Sequence, residues 1–275
     1  MQHIELSTSE RRNNAFSEQT LKAAIVAMQE DGYVCLPNVI HTDHVDALNE
    51  KMQADIRQVE KERGIDDNYQ GVRPPPFHPY LYEDILFNPF AVSVSHALFG
   101  DDCTLSTYGA NTAFAGSKPQ RVHADATQLW SELDQATPCH ALVVNVSLVD
   151  VDEKNGATIA WPGTHLDTRL HSSNRFPTDE MCTAWSRGSE RVCTQRGDLV
   201  LRDLRVWHGG MPNTTNIHRP MLAMVHHTRW WAGGAVEFEV GTQEFLQHPQ
   251  LKVEAVFVDP PLDYLFQGHS RPDKK

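Results

Sequence analysis

Residues 196–225 read RGDLVLRDLRVWHGGMPNTTNIHRPMLAMV. The first half is an apolar run that ends at His208, Gly209 and Gly210 turn the chain, and the loop 209–218 returns it into a second apolar run that opens with Arg219. Two such runs divided by turn-forming residues predict paired β-strands. Pairing as a hairpin would bring His208 and Arg219 to the same mouth of a barrel.

The same texture extends outward over everything after Gly100. The runs CTLSTYGA, NTAFAG, HALVVNVSLVDV, ATIAWPG, RVCTQ and RPMLAMVHHTRWW are separated by Gly, Pro, Asn and Asp clusters. Short strands at this spacing predict a β-sandwich or jelly roll. The first third has helical periodicity instead. FSEQTLKAAIVAMQEDG carries Ser17 as a cap and Gly32 as a stop, and HTDHVDALNEKMQADIRQVEKERG repeats the pattern with Thr42 or Asp43 as its cap. Between them YVCLPNVI reads as one short strand. The expected fold is mainly β with N-terminal helices, in one domain over 1–275: a helical part over 1–100 and a jelly-roll core over 101–275. A separate helical domain ending near Asp101 is the alternative.

The chain has 275 residues, 40% hydrophobic and 22% charged, which is ordinary composition for a soluble globular protein. No apolar run approaches the length of a membrane span, and the N-terminus MQHIELSTSERRNN lacks the apolar stretch of a signal peptide, so a cytoplasmic protein with no membrane association is expected. A formal net charge of −12, with no long run of Lys or Arg, argues against nucleic acid as a partner. A small-molecule substrate fits this balance, and a homodimer is left open. The five cysteines, Cys35, Cys103, Cys139, Cys182 and Cys193, are widely spaced with no Cys-x-x-Cys pair, which speaks against a disulfide framework or a thiolate metal site. They are expected as small buried hydrophobes.

Metal ligation must be sought among the 15 histidines, and His-x-Asp occurs four times, at His41/Asp43, His44/Asp46, His123/Asp125 and His165/Asp167. The first two open a predicted helix, where acids are favoured in any case, and the last follows the turn WPGT. His123 and Asp125 lie in QRVHADATQLW, which reads as strand and turn. In a strand, residues i and i+2 point to the same face, so the two can project together into a barrel. His208 is the candidate third ligand, and Arg219 beside it would present a guanidinium fork suited to a carboxylate. His218 and Arg229 share the eleven-residue spacing. They rank second because His218 stands at the start of its strand.

Taken in order, EDGYVCLPNVI followed by a helix, QRVHAD, NGATIAWPGTH and GDLVLRDLRVWHGGMPNTTNIHRP resemble the phytanoyl-CoA dioxygenase-like family of iron(II)- and 2-oxoglutarate-dependent oxygenases. The resemblance implies a double-stranded β-helix, the cupin-like form of the jelly roll. It also implies a facial triad of His123, Asp125 and His208 on Fe(II), with Arg219 bound to the distal carboxylate of 2-oxoglutarate and O2 as oxidant. Gln120 and Thr158 are implied as further cosubstrate hydrogen-bond donors, and Gly156 and the WPG turn as backbone geometry. The implied reaction decarboxylates 2-oxoglutarate to succinate and carbon dioxide and oxidises a C–H bond of a small organic substrate, with hydroxylation, desaturation, ring closure and rearrangement all open. Asp125 argues against a halogenase, whose members carry a small residue there. A metal-binding cupin-like isomerase, or a ligand-binding protein without oxygenase activity, is the alternative. A role in specialised metabolism is a family-level expectation.

The stretch 66–82 holds four prolines and little periodicity, and long irregular loops of this kind are often functional. It is expected to form a lid over the substrate entrance. Arg73, Phe77, Tyr80 and Tyr82 would then offer a cation and aromatic surface to the substrate.

Overall fold

The computed structural model describes residues 1–63, 72–171, 174–231 and 233–265. In chain order the elements are β1 (Gln2–His3), α1 (Thr8–Asn13), α2 (Glu18–Glu30), β2 (Tyr33–Leu36), α3 (Thr42–Arg63), α4 (Glu83–Leu86), α5 (Pro89–Phe99), β3 (Thr104–Ala110), β4 (Ala141–Ser147), β5 (Thr158–Ala160), α6 (Asp179–Ala184), β6 (Glu190–Val192), β7 (Leu199–Asp203), β8 (His208–Gly209), β9 (Met221–His227), β10 (Val236–Glu239), β11 (Lys252–Val253) and β12 (Ala255–Val258).

A seven-stranded sheet in the order β1-β2-β7-β4-β9-β3-β11 and a three-stranded sheet in the order β6-β5-β8 form the jelly roll, with β10 and β12 as a separate pair. The sheets are not closed into a barrel. The continuous apolar runs of β4, β7 and β9 have a simple cause: both faces of the large sheet are covered. Leu142, Val144, Val146, Leu199, Leu201, Leu222 and Met224 share one core with Ala24, Ala27, Met28, Phe90 and Val94 of α2 and α5. Their alternate neighbours Val143, Asn145, Ser147, Val200, Arg202, Met221, Ala223 and Val225 line a cavity on the other face. Period-two alternation thus separates a helix-packed face from a cavity-facing one.

The predicted helices form where the caps allow. Ser17 caps α2 by accepting from the Thr20 N–H, a contact worth about 1 kcal/mol. Gly32, at φ +82°, turns the chain into β2, and a Cβ there would stand 2.5 Å from His165 Nδ1 and from Val206. The second predicted helix begins at Thr42, so neither Thr42 nor Asp43 precedes it as a cap; Asp43 lies in its first turn. The short strand predicted over YVCLPNVI forms as β2, and β1 and β2 join the large sheet through the antiparallel pairing of β2 with β7.

The predicted strand over 197–208 is broken, and the predicted hairpin is absent. β7 ends at Asp203, whose carboxylate accepts the Arg205 backbone N–H at 2.9 Å and pairs with its guanidinium. This corner carries the chain from the large sheet to the small one. β8 therefore pairs with β5, while β9 pairs with β3 and β4, and His208 and Arg219 stand on opposite sheets facing one cavity. NTAFAG contributes a single bridge, Ala113 to Arg219, in place of a strand. All five cysteines are free; Cys35 and Cys103 are buried as expected, but Cys193 is exposed. Among the described residues no helix is long and apolar enough to cross a membrane.

Candidate metal centre

The strand expected over QRVHADATQLW is reduced to isolated bridges, one of which sets His123 antiparallel to His208. Each histidine donates its backbone N–H to the other's carbonyl, at 2.9 and 2.8 Å, so their rings lie side by side with centroids 4.4 Å apart. Asp125, two residues beyond His123, points to the same side, with Oδ1 3.5 Å from His123 Nε2 and Oδ2 3.5 Å from His208 Nε2. One ligand atom from each of the three residues falls within 4.8 Å of the other two. About a third of the Asp125 side chain (34%) is open, toward the cavity it lines.

The hydrogen bonds select the tautomers. His123 Nδ1 lies 2.8 Å from the Arg121 carbonyl and His208 Nδ1 lies 2.9 Å from the Val206 carbonyl. A carbonyl only accepts, so each Nδ1 carries the proton and each Nε2 offers a lone pair. Burial is the main reason that the His208 imidazolium is disfavoured, with its pKa pushed down to about 3, and the nearby Arg202 adds to this. Burial also favours neutral Asp125, but the pull of His208 and Arg202 outweighs it and holds the carboxyl well below its usual range. Two imidazoles presenting Nε2 and one carboxylate, converging from one face, form a donor set that fits a divalent non-haem iron with coordination positions left open.

Asp125 and His208 share a cavity of about 230 Å³ with Arg219. Arg219 is 3% exposed and donates from Nη1 to the Asn111 carbonyl (3.1 Å) and from Nη2 to the Gly156 carbonyl (2.8 Å), while Nε has no acceptor among the described residues. Among the described residues no carboxylate pairs with it, and burial lowers its pKa to about 10. Gly156 has φ +88°, and a Cβ there would stand 2.7 Å from the Met211 carbonyl, so glycine is what allows this carbonyl to reach Arg219. Gln120 and Thr158 line the same cavity, and Gln120 Oε1 accepts the Gly210 N–H at 2.8 Å. The Arg219 end is otherwise polar, with Asn111, Thr112 and Ser147. The wall beside Arg202 is apolar, through Val143, Leu204 and Val225.

The rival motifs have structural partners. His165, buried, bonds the Gln29 carbonyl and Asp167 pairs with Arg169; His44 bonds Asp84; Asp46 pairs with Arg196; His218 faces Glu60; Arg229 is exposed beside Asp102. Of the predicted lid, 66–71 lie outside the described residues. Arg73, Phe77, Tyr80 and Tyr82 do not line the cavity of the triad. Phe77 packs edge-on against Tyr264, Tyr80 lies edge-on to Phe77, and Tyr82 stacks on His44 at 4.3 Å. Aromatic rings in a proline-rich segment find burial against the nearest helix, and α3 supplies it.

Two cavity residues escaped the sequence reading. Thr112 is 1% exposed, and its hydroxyl has no partner. Arg202 is 5% exposed and donates from Nη2 to Asp125 Oδ2 at 2.8 Å. Its signal was available, as a lone cation inside the apolar run DLVLRDL.

Comparison with known proteins agrees with this geometry. A family profile described as Phytanoyl-CoA dioxygenase (PhyH) matches residues 28–221. Dioxygenase af480 of Aspergillus fumigatus is 26% identical over 242 residues, covering 82% of this chain and 73% of that protein. Among solved structures, the non-heme alpha ketoglutarate dependent carbocyclase SnoK from nogalamycin biosynthesis superposes with a TM-score of 0.56 at 21% identity, over 89% of this chain and 95% of SnoK. The epimerase SnoN, solved with Fe3+, alpha ketoglutarate and nogalamycin RO, gives 0.58 at 17% identity, over 89% of this chain and 98% of SnoN. At these identities the two structures speak for the fold.

Proposed function

The chain belongs to the phytanoyl-CoA dioxygenase family, and on that footing we propose that it is an Fe(II)- and 2-oxoglutarate-dependent dioxygenase acting on a C–H bond of a small organic substrate, with release of succinate and carbon dioxide. The observation that carries this reading is Arg219. A buried guanidinium without a carboxylate partner is costly to keep, and it faces the same cavity as Asp125 and His208 of a two-His-one-carboxylate set. A metal-binding protein without oxygenase activity has no use for such a clamp.

His123, Asp125 and His208 would hold the iron, which when bound couples O2 to decarboxylation of the 2-oxo acid. Arg219 receives the distal carboxylate through the N–H groups it does not give to Asn111 and Gly156. Thr158 and Gln120 flank that carboxylate's path as hydrogen-bonding neighbours. The apolar wall of Val143, Leu204 and Val225 keeps water from the metal end and suits an apolar skeleton. With a net charge of −12 and no Lys or Arg cluster for coenzyme A phosphates, an uncharged or weakly charged natural-product intermediate fits better than an acyl-CoA. Since SnoK is described as a carbocyclase and SnoN as an epimerase, hydroxylation, desaturation, ring closure and stereochemical inversion all belong to the reaction range.

The test is succinate release in the presence of Fe(II), 2-oxoglutarate and air, screened over a panel of small natural products. Release that needs both Fe(II) and 2-oxoglutarate is expected. Substrate oxidation that continues unchanged with a chelator present, or without 2-oxoglutarate, would refute the proposal.

A further inference from the structure

Two buried arginines three residues apart, Arg202 in β7 and Arg205 in the corner after it, are spent differently. Arg205 gives Nε and Nη2 to the two oxygens of Asp203, and Nη1 to the Thr137 carbonyl at 2.8 Å and to Gln128 Oε1 at 3.2 Å. That is a closed structural pair. Arg202 lines the cavity, and its one carboxylate contact is Nη2 to Asp125 Oδ2 at 2.8 Å. The neighbour of Nη1 is His208 Nδ1 at 3.2 Å, but that nitrogen already donates to the Val206 carbonyl at 2.9 Å. A protonated Nδ1 cannot accept. Among the described residues Nη1 therefore has an N–H without an acceptor, beside the ring of the metal ligand His208.

Charge sharpens the point. Once Asp125 serves a divalent cation its negative charge is shared, and Arg202 then stands, 5% exposed, next to a net-positive centre. A buried cation in that position calls for an anion. Arg219 faces the opposite, polar end of the same cavity, so two guanidinium groups with donors to spare address one small volume. We propose that Arg202 is a second carboxylate clamp, which takes a carboxylate held at the metal end as Arg219 takes one at the far end. The carboxylate can come from the 2-oxo acid, on the carbon beside its keto group, or from a substrate. The inference rests on the proposed function, and it assigns a binding role to this chain's own residue.

Binding can be read without turnover by calorimetry on protein loaded with Mn(II). The probes are 2-oxoglutarate, 4-oxobutanoate (which lacks the carboxylate beside the keto carbon) and 2-oxopentanoate (which lacks the distal one). Arg202→Gln keeps a donor for Asp125 but removes the charge. It should weaken 2-oxoglutarate and 2-oxopentanoate at least tenfold and leave 4-oxobutanoate unchanged, whereas Arg219→Gln should weaken 2-oxoglutarate and 4-oxobutanoate and spare 2-oxopentanoate. Arg202→Lys, which keeps the charge, should recover part of the loss. Benzoate titrated into the Mn(II) protein, with and without saturating 2-oxoglutarate, separates the sources: benzoate binding that Arg202→Gln abolishes while sparing 2-oxoglutarate assigns the clamp to a substrate carboxylate. If Arg202→Gln lowers only the Mn(II) affinity, or changes none of these constants, Arg202 merely holds Asp125 and the inference is overturned. No 2-oxoglutarate binding in the unaltered protein would sink the proposed function instead, and benzoate would then judge Arg202 by itself.

Discussion

Replacing Arg219 by methionine separates binding from folding because the two effects have opposite sources. Arg219 has five N–H groups, of which two go to the Asn111 and Gly156 carbonyls, leaving three for a ligand. Removing them leaves a bound distal carboxylate buried without a partner, a loss of about 3–5 kcal/mol. At about 1.4 kcal/mol per tenfold, the dissociation constant for 2-oxoglutarate should rise by roughly two to three and a half decades. The protein without cosubstrate should change far less. Two hydrogen bonds of about 1 kcal/mol each are lost, but an uncompensated buried charge goes with them, and the thermal midpoint should stay close to that of the parent. Arg219→Lys keeps the charge and loses the fork, so a loss of about tenfold is expected. Calorimetric titration with 2-oxoglutarate on metal-loaded protein, paired with thermal unfolding of the free protein, reads both. An unchanged affinity in Arg219→Met would refute the reasoning. A collapse in stability without change in affinity would make Arg219 a structural residue.

Thr158→Val and Gln120→Ala should each weaken 2-oxoglutarate by up to about tenfold, the net worth of one hydrogen bond, with metal affinity unchanged in the same titrations. Arg205→Leu should destabilise the fold by about 3–5 kcal/mol in urea unfolding, because Asp203, 1% exposed, would be left charged and unpaired; a loss below 1 kcal/mol would show that the corner does not depend on this pair. Gly156→Ala forces a side chain into φ +88° and toward the Met211 carbonyl, so it should cost on the order of 1–3 kcal/mol and weaken 2-oxoglutarate as well, since it moves an Arg219 acceptor. Burial pushes the pKa of His140 down to about 4 and that of His226 to about 3, both from an ordinary 6.5. The unfolded chain therefore binds more protons below 6.5, and stability should fall as pH drops from 6.5 toward 4, by up to about 2.7 kcal/mol per pH unit for the two together; denaturant midpoints that stay flat over that window would contradict the assignment.

His123 and Asp125 were legible as a pair from their i, i+2 spacing, although the strand expected there is only the isolated bridge of His123 to His208, with Asp125 in the bend that follows. Arg219 was legible for its chemistry, as a cation at the head of an apolar run, though β9 itself begins at Met221. The path that joins it to His208 was not. The switch between sheets depends on Asp203 capturing the Arg205 N–H and guanidinium, a local competition against strand continuation that the apolar pattern of residues 197–208 does not show. The site survives the misreading because the two sheets face each other, and an opposing pair can meet in a cavity as well as adjacent strands can. The aromatic residues at 77, 80 and 82 fall outside that cavity for a related reason, since exposure to a ligand and packing against a helix leave the same composition in a proline-rich segment.

The central claim is that His123, Asp125 and His208 hold an iron to which 2-oxoglutarate binds. It is most directly tested by the visible absorption of the protein under anaerobic conditions, with Fe(II) added first and 2-oxoglutarate second. A charge-transfer band should appear only when both are present, and should vanish in Asp125→Ala and His208→Ala while persisting in His165→Ala and His218→Ala. A band of full strength in the triad variants, or its loss in the His165 or His218 variant alone, would contradict the account.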